Sequence, residues 1–190
     1  MSFKSFKKNK LKKIIILSFL FISLSLICLT SLSGCIDSPT EESTEVKEGS
    51  AAPDFTFSLL DKSDAKLSDY EGRIVLLNFW GLGCPPCIME LPAFETLQRE
   101  FPDDLTVLAI NCQDPVVALE YFKEKSNPTF TIGYVDSKNC PYPIQSIPYT
   151  VIIDKEGNIS LIQIGAGSAE VMYNNIYKPA IVSLLEKEKK

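Results

Sequence analysis

The chain predicts an α/β domain, a mixed β-sheet with helices packed on both faces. Continuous apolar, β-favouring runs at Ile74–Trp80 (IVLLNFW) and Leu105–Asn111 (LTVLAIN) are what strands buried on both sides require. Segments with apolar residues three and four apart alternate with them, the spacing of a helix with one buried face. A hairpin and a last helix close the chain, which completes an α/β order.

Taken in order, residues 1–13 hold six lysines and no acid, and an almost unbroken apolar run follows over 14–29. A basic head, an apolar middle and small residues before a cut site form an export signal, which is removed and does not join the fold. Leu32-Ser33-Gly34-Cys35 resembles the lipobox of prokaryotic lipoproteins, implying a signal over 1–34 and lipidation of Cys35. An uncleaved anchor is the alternative, although the run is near the short end of spanning length. Both readings leave the lysine-rich end in the cytoplasm and the body outside it, anchored to the bilayer. Residues 35–50 are expected to be the lipidated cysteine and a disordered acidic tether, with the domain over 51–190.

Within the domain, 55–60 is expected to be a short strand, followed by a polar turn and a small element at 66–67. After Ile74–Trp80, a helix over 85–101 places Ile88, Leu91, Phe94, Leu97 and Phe101 on one face. Leu105–Asn111 is followed by a helix over 116–125 and a strand over 129–135. Strands at 149–154 and Ile159–Ile164 flank Lys155-Glu156-Gly157-Asn158, a hairpin turn whose glycine suits a positive φ. An amphipathic helix over 168–189 ends the chain.

Composition narrows the chemistry. The net charge is −5, and without the six leading lysines the remaining thirteen basic residues face 24 acidic ones, a net of −11. A nucleic-acid binder needs the opposite balance, because it must neutralise phosphates. No histidine is present, which removes Ser-His and Cys-His catalysis and any His-ligated metal. The chemistry falls to the cysteines, at 28, 35, 84, 87, 112 and 140, and no cofactor or metal is expected.

Cys84-Pro85-Pro86-Cys87 sits where a buried strand gives way to a helix. A sulfur there faces unpaired backbone N–H groups and the positive end of the helix dipole, both of which favour thiolate. Cys84 is expected to be the exposed nucleophile and Cys87, one turn in, the resolving thiol of a redox-active Cys84–Cys87 disulfide. The two prolines remove two N–H donors, which points to a more reducing pair than a strong oxidase carries. The same spacing is half of a zinc site, which would need Cys112 and Cys140 to converge on it.

Gly49-x-x-Ala52-Pro53-Asp54-Phe55, Leu67-Ser68-Asp69-Tyr70-x-Gly72, Leu77-Asn78-Phe79-Trp80 before the CPPC, Glu90-x-Pro92, Ile147-Pro148 and Ile153-Asp154-x-x-Gly157 occur in order. This series resembles the thioredoxin-like family typified by TlpA and ResA, within the AhpC/TSA–redoxin superfamily. The resemblance implies a thioredoxin fold with an N-terminal β extension and an inserted α-β unit. It also implies a membrane-bound, outward-facing reductase of protein disulfides, apocytochrome c among the substrates of some members, supplied by a thiol-type electron donor in the membrane.

By the same resemblance Pro148 is the cis-proline beside the active disulfide, where backbone pairs with substrate, and Glu90 is the active-site carboxylate. Trp80, Pro85, Pro86 and Ile147 are expected to form the substrate rim. Gly83 replaces the tryptophan that many relatives carry, and Asn78 replaces the buried aspartate of thioredoxin, so proton transfer falls to Glu90 or water. In the resembling subfamily the strands before Cys112 and Cys140 are parallel neighbours, which implies a Cys112–Cys140 disulfide.

Other functions stay open. The pair could serve an oxidase or isomerase. A thiol peroxidase would carry a Thr-x-x pattern before its cysteine, where Gly81 stands here, and a thiolate copper-binding module of this fold would use a histidine.

Overall fold

A computed structural model describes residues 45–187; the signal, the lipobox and Cys35 lie outside the described residues. One seven-stranded sheet organises the fold, in the order β2-β1-β5-β4-β3-β6-β7. Its strands are β1 (Thr56–Leu59), β2 (Asp64–Lys66), β3 (Ile74–Trp80), β4 (Leu105–Asn111), β5 (Thr131–Tyr134), β6 (Tyr149–Ile153) and β7 (Ile159–Ile164). β3, β4 and β5 run parallel, and the β1–β2 hairpin and the β6–β7 hairpin extend the two sides antiparallel. The sheet is mixed as the sequence requires, and the first hairpin is the N-terminal β extension.

Helix α1 (Pro85–Glu100) joins β3 to β4, and α2 (Val116–Ser126) joins β4 to β5. Helix α3 closes the chain as Ala169–Val171, a π-helical stretch Met172–Tyr177, and Lys178–Lys187, capped by Ser168. Lys178 pairs with Glu100 at 2.6 Å and fastens α3 to the end of α1.

The expected placement of helices on both faces is not what the chain adopts. Both crossovers, β3-α1-β4 and β4-α2-β5, step the same way across the sheet. Right-handed connections therefore put α1 and α2 on one face. The buried cluster there takes Phe94 and Leu97 from α1, Leu119 from α2, and Tyr177, Ile181 and Leu184 from α3, against Ile74, Leu76 and Trp80. The opposite cluster has no helical contribution of that kind. Val75, Leu77 and Phe79 meet Leu108, Ile110, Phe55, Phe57 and Tyr142, with Leu67 from a 3₁₀ turn (Leu67–Tyr70). Phe55, Phe79 and Tyr142 form an aromatic layer with ring centroids 5.3–6.0 Å apart. Asp54 holds the 3₁₀ turn in place, accepting the Ser68 N–H and hydroxyl at 3.0 Å each.

Residues 45–50 also depart from expectation. They lie against the β7 edge, not as a free tether. The Gly49 N–H donates to Ile159 O at 2.7 Å, the Ile162 N–H donates to Glu48 Oε1 at 3.0 Å, and Val46 packs on the aromatic cluster. An open edge strand offers unpaired donors and acceptors, and this segment satisfies some of them.

Candidate active site

Strand β3 ends in the loop Gly81-Leu82-Gly83, which delivers Cys84 to the N-cap of α1. Asp114, in the β4–α2 loop, fixes that delivery. Its Oδ2 accepts the Leu82 N–H at 2.7 Å and the Asn111 side-chain amide at 2.8 Å. Gln113 packs so closely over Gly81 that a Cβ there would lie 1.9 Å from Nε2.

Cys84 and Cys87 are joined by a disulfide across a Cα–Cα distance of 5.3 Å. Pro85 and Pro86 occupy the first two helical positions and bring no N–H. The first donor on the helix is therefore the Cys87 N–H, and it points at Cys84 Sγ from 3.3 Å. On the other side Cys84 Sγ lies 3.7 Å from the Ile147 carbonyl oxygen, and the Ile147–Pro148 peptide is cis. Cys84 is 8% exposed and Cys87 0%. Access to the disulfide is through Cys84.

The surroundings correct part of the expected rim. Trp80 is 0% exposed; it belongs to the helix-side core, its ring 5.2 Å from Phe122. Its position at the end of a central strand, covered by α2, removes it from any substrate. Ile88, expected in the core, is 36% exposed, and Met89 is 52% exposed. Pro85 is exposed, Pro86 and Ile147 are half-buried, and Pro148 is buried. The apolar surface around the disulfide thus comes from Pro85, Pro86, Ile88 and Met89. Helical spacing alone could not separate Ile88 from the buried stripe, because it lies in the first turn, where α1 emerges from the sheet edge.

Glu90 is fully buried on the same helical face as Cys87, one turn on. Its Oε1 accepts from Asn78 Nδ2 at 3.0 Å and its Oε2 from the Tyr177 hydroxyl at 2.8 Å. Asn78 Nδ2 also donates to Thr150 Oγ1 at 2.9 Å, and 3.3 Å separates the Thr150 and Tyr177 hydroxyl oxygens. Burial raises the Glu90 carboxyl to about 7, against the lowering effect of the two donors. Thr150 and Tyr177 were not singled out by the sequence. The available signal was a threonine inside the otherwise apolar strand YTVII; the tyrosine reads as one more residue of an apolar helix face.

Cys112 and Cys140, expected to be bridged, are two free thiols. Each is half-buried against the aromatic cluster, and Cys112 Sγ lies 3.9 Å from the Trp80 carbonyl. Burial raises both, Cys140 to about 11. Their strand ends are adjacent as expected, since Asn111 pairs with Tyr134. The intervening 3₁₀ turn (Ser137–Asn139) carries the chain onward before Cys140.

A disulfide at a helix N-terminus, reachable through one sulfur and facing the Ile147 carbonyl, is built for exchange with a thiol. The protein is a thiol–disulfide oxidoreductase of thioredoxin fold. It belongs to the AhpC/TSA family, whose model matches residues 49–162. Thioredoxin-like protein YneN of Bacillus subtilis is 37% identical over 132 residues, covering 67% of this chain and 77% of that one. Thiol-disulfide oxidoreductase ResA of Geobacillus thermodenitrificans is 36% identical over 132 residues, covering 68% and 76%. The crystal structure of a DsbE-like thiol:disulfide interchange protein from Chlorobium tepidum superposes with a TM-score of 0.66 at 25% identity, over 73% of this chain and 98% of the other. The resemblance to ResA-type proteins read from the motifs is borne out.

Proposed function

We propose that this oxidoreductase is a membrane-tethered, outward-facing reductase of disulfides in exported proteins, with Cys84 as nucleophile and Cys87 as resolving thiol. The observation that carries the proposal is the environment of Cys84 Sγ, with one N–H donor from Cys87 at 3.3 Å and the Ile147 carbonyl at 3.7 Å. In the reduced protein the donor favours the Cys84 thiolate. That thiolate attacks a substrate disulfide, forms a Cys84–substrate bond and expels one substrate sulfur as thiolate. Cys87 then gives its proton to Glu90 and attacks Cys84 Sγ. The Cys84–Cys87 disulfide forms and the second substrate sulfur leaves. The substrate gains two electrons and the pair loses them, to be resupplied by a thiol-type donor in the membrane.

The exposed Pro85, Ile88 and Met89, with the half-buried Pro86, suit an extended apolar peptide, whose backbone would pair beside cis-Pro148. The basic head, apolar run and Cys35 support export and lipid anchoring. Among the described residues no helix is long and apolar enough to cross a membrane. Apocytochrome c is one candidate substrate.

The test is a trapping experiment. Reduced Cys87→Ser protein mixed with a disulfide-bonded protein substrate should accumulate a mixed disulfide through Cys84, visible on non-reducing gels and absent in Cys84→Ser. Equal trapping through Cys84→Ser, or none with either variant, contradicts the assignment.

A further inference from the structure

Beneath the disulfide lies a closed polar ring in an otherwise apolar core. Asn78 comes from β3, Thr150 from β6, Tyr177 from α3 and Glu90 from α1, and every one is at most 1% exposed. Asn78 links Glu90 to Thr150, and Tyr177 links Glu90 back to Thr150. We infer that Tyr177 is a positioning residue for the Glu90 carboxyl, its hydroxyl holding that carboxyl one turn from Cys87 and serving it in both protonation states. The inference rests on the proposed role of Glu90 as acceptor of the Cys87 proton.

The two donors to Glu90 differ in kind. The Asn78 amide can only donate through its nitrogen, which suits the carboxylate. A phenolic hydroxyl can turn. With Glu90 ionised, Tyr177 donates to Oε2 and the Thr150 hydroxyl is free to donate to the Tyr177 oxygen. With Glu90 protonated, the carboxyl can donate to the Tyr177 oxygen, whose own proton turns to Thr150 Oγ1 at 3.3 Å. A buried carboxyl that changes charge without such a partner would leave a donor or acceptor unpaired in one state.

The local backbone is consistent with this role. Tyr177 ends the π-helical stretch Met172–Tyr177, and its ring packs on Phe94 of α1 at 5.6 Å. Single π turns inside α-helices recur at functional sites. Besides Asn78 and Thr150, which do not titrate, the groups facing Glu90 are Tyr177 itself and, on its own helix, the Cys87 thiol of the reduced protein. None of these carries a fixed charge. Removing the Tyr177 hydroxyl takes away a donor that favours the carboxylate, so the carboxyl should hold its proton to higher pH.

The experiment follows oxidation of the reduced full-length protein by oxidised glutathione between pH 5 and 10, by thiol alkylation and mass, in wild type, Tyr177→Phe, Glu90→Gln and the double variant. Tyr177→Phe should move the acidic inflection of the rate up by about one pH and slow the reaction roughly three- to tenfold at pH 7, recovering by pH 9. Glu90→Gln should lose that inflection, and Tyr177→Phe should change nothing further in its background. A Tyr177→Phe profile superimposable on wild type, or the same slowing in the Glu90→Gln background, overturns the inference. If Glu90→Gln leaves the wild-type profile intact, the role of Glu90 itself fails and the inference with it. Should Tyr177→Phe not fold, Thr150→Val decides by the same criteria, with a smaller shift expected.

Discussion

The protein carries two cysteine pairs at the same end of one sheet, and they live in opposite environments. Cys84 and Cys87 lie on the helix-covered face, at the start of α1, with an N–H aimed at the outer sulfur. Cys112 and Cys140 lie on the aromatic face, half-buried among Tyr142, Tyr149 and Phe79, where burial pushes both thiols up. Proximity to a sheet edge does not make a cysteine reactive. A thiolate needs donors or positive charge enough to offset burial, and at Cys112 and Cys140 burial outweighs the backbone hydrogen bond each sulfur has.

The largest effect should come from exchanging the roles of the pairs by mutation. Cys84→Ser should lower protein-disulfide reduction by at least about a thousandfold, since among the described residues Cys87 is fully buried and burial raises the Cys112 and Cys140 thiols. The Cys112→Ala/Cys140→Ala double variant should stay within about twofold of wild type. In the reduced wild type at pH 7, Cys140, raised to about 11, has only about one molecule in 10⁴ as thiolate. Mass-resolved iodoacetamide labelling of that reduced sample should therefore find Cys84 modified first, while in a separate sample, denatured and never reduced, Cys112 and Cys140 should both be modified. A Cys112–Cys140 bond surviving in that sample would remove the contrast.

A second prediction concerns the buried carboxyl, which has no counterpart on the aromatic face. The folded protein holds the Glu90 proton to about 7, against an ordinary value of 4.5. The stabilisation from the protonated form is complete below pH 4.5 and is lost as pH rises through 7. Wild type should lose on the order of 2–3 kcal/mol from this group between pH 4 and 8. Glu90→Gln should flatten that part of the curve, measured by urea unfolding across the same range. A parallel decline in both proteins would contradict the burial argument.

The smallest effect probes packing on the aromatic face. A Cβ at Gly133 would meet Ile110 Cδ1 and Phe57 Cδ2 at 2.9 Å and the Ser58 backbone oxygen at 3.2 Å. Gly133→Ala should cost about 1–3 kcal/mol by denaturant unfolding while leaving the midpoint potential of the Cys84–Cys87 pair unchanged. A shift in that potential would mean that the two faces are coupled.

The same contrast separates what was legible in the sequence from what was not. β3 and β4 were readable to the residue because each is a seven-residue run, mostly apolar and rich in β-favouring side chains, too short for a helix and suited to a strand buried on both faces. The CPPC at a strand–helix junction located the disulfide, and the Ile147-Pro148 dipeptide located the carbonyl beside it. Composition could not say which face each helix takes, since that follows from the direction of the crossovers. Trp80 looked like a rim residue because a strand end can be open or covered, and α2, distant in sequence, decides which. Tyr177 stayed hidden for a similar reason, 87 residues from the carboxyl it holds. Residues 45–50 looked like linker by composition, yet three hydrogen bonds to β7 suffice to lay them down, and a bridge from Ala51 to Asn158 follows.

The central claim is that the Cys84–Cys87 pair is poised to reduce its partners. Its most direct test is the midpoint potential of that pair in the full chain, equilibrated in glutathione or dithiothreitol buffers at pH 7 and read by alkylation and mass, with Cys112 and Cys140 followed separately. A midpoint more negative than roughly −230 mV is the expected result and fits a reductase of exported disulfides. A midpoint above about −150 mV would contradict it and make the protein a donor of disulfides.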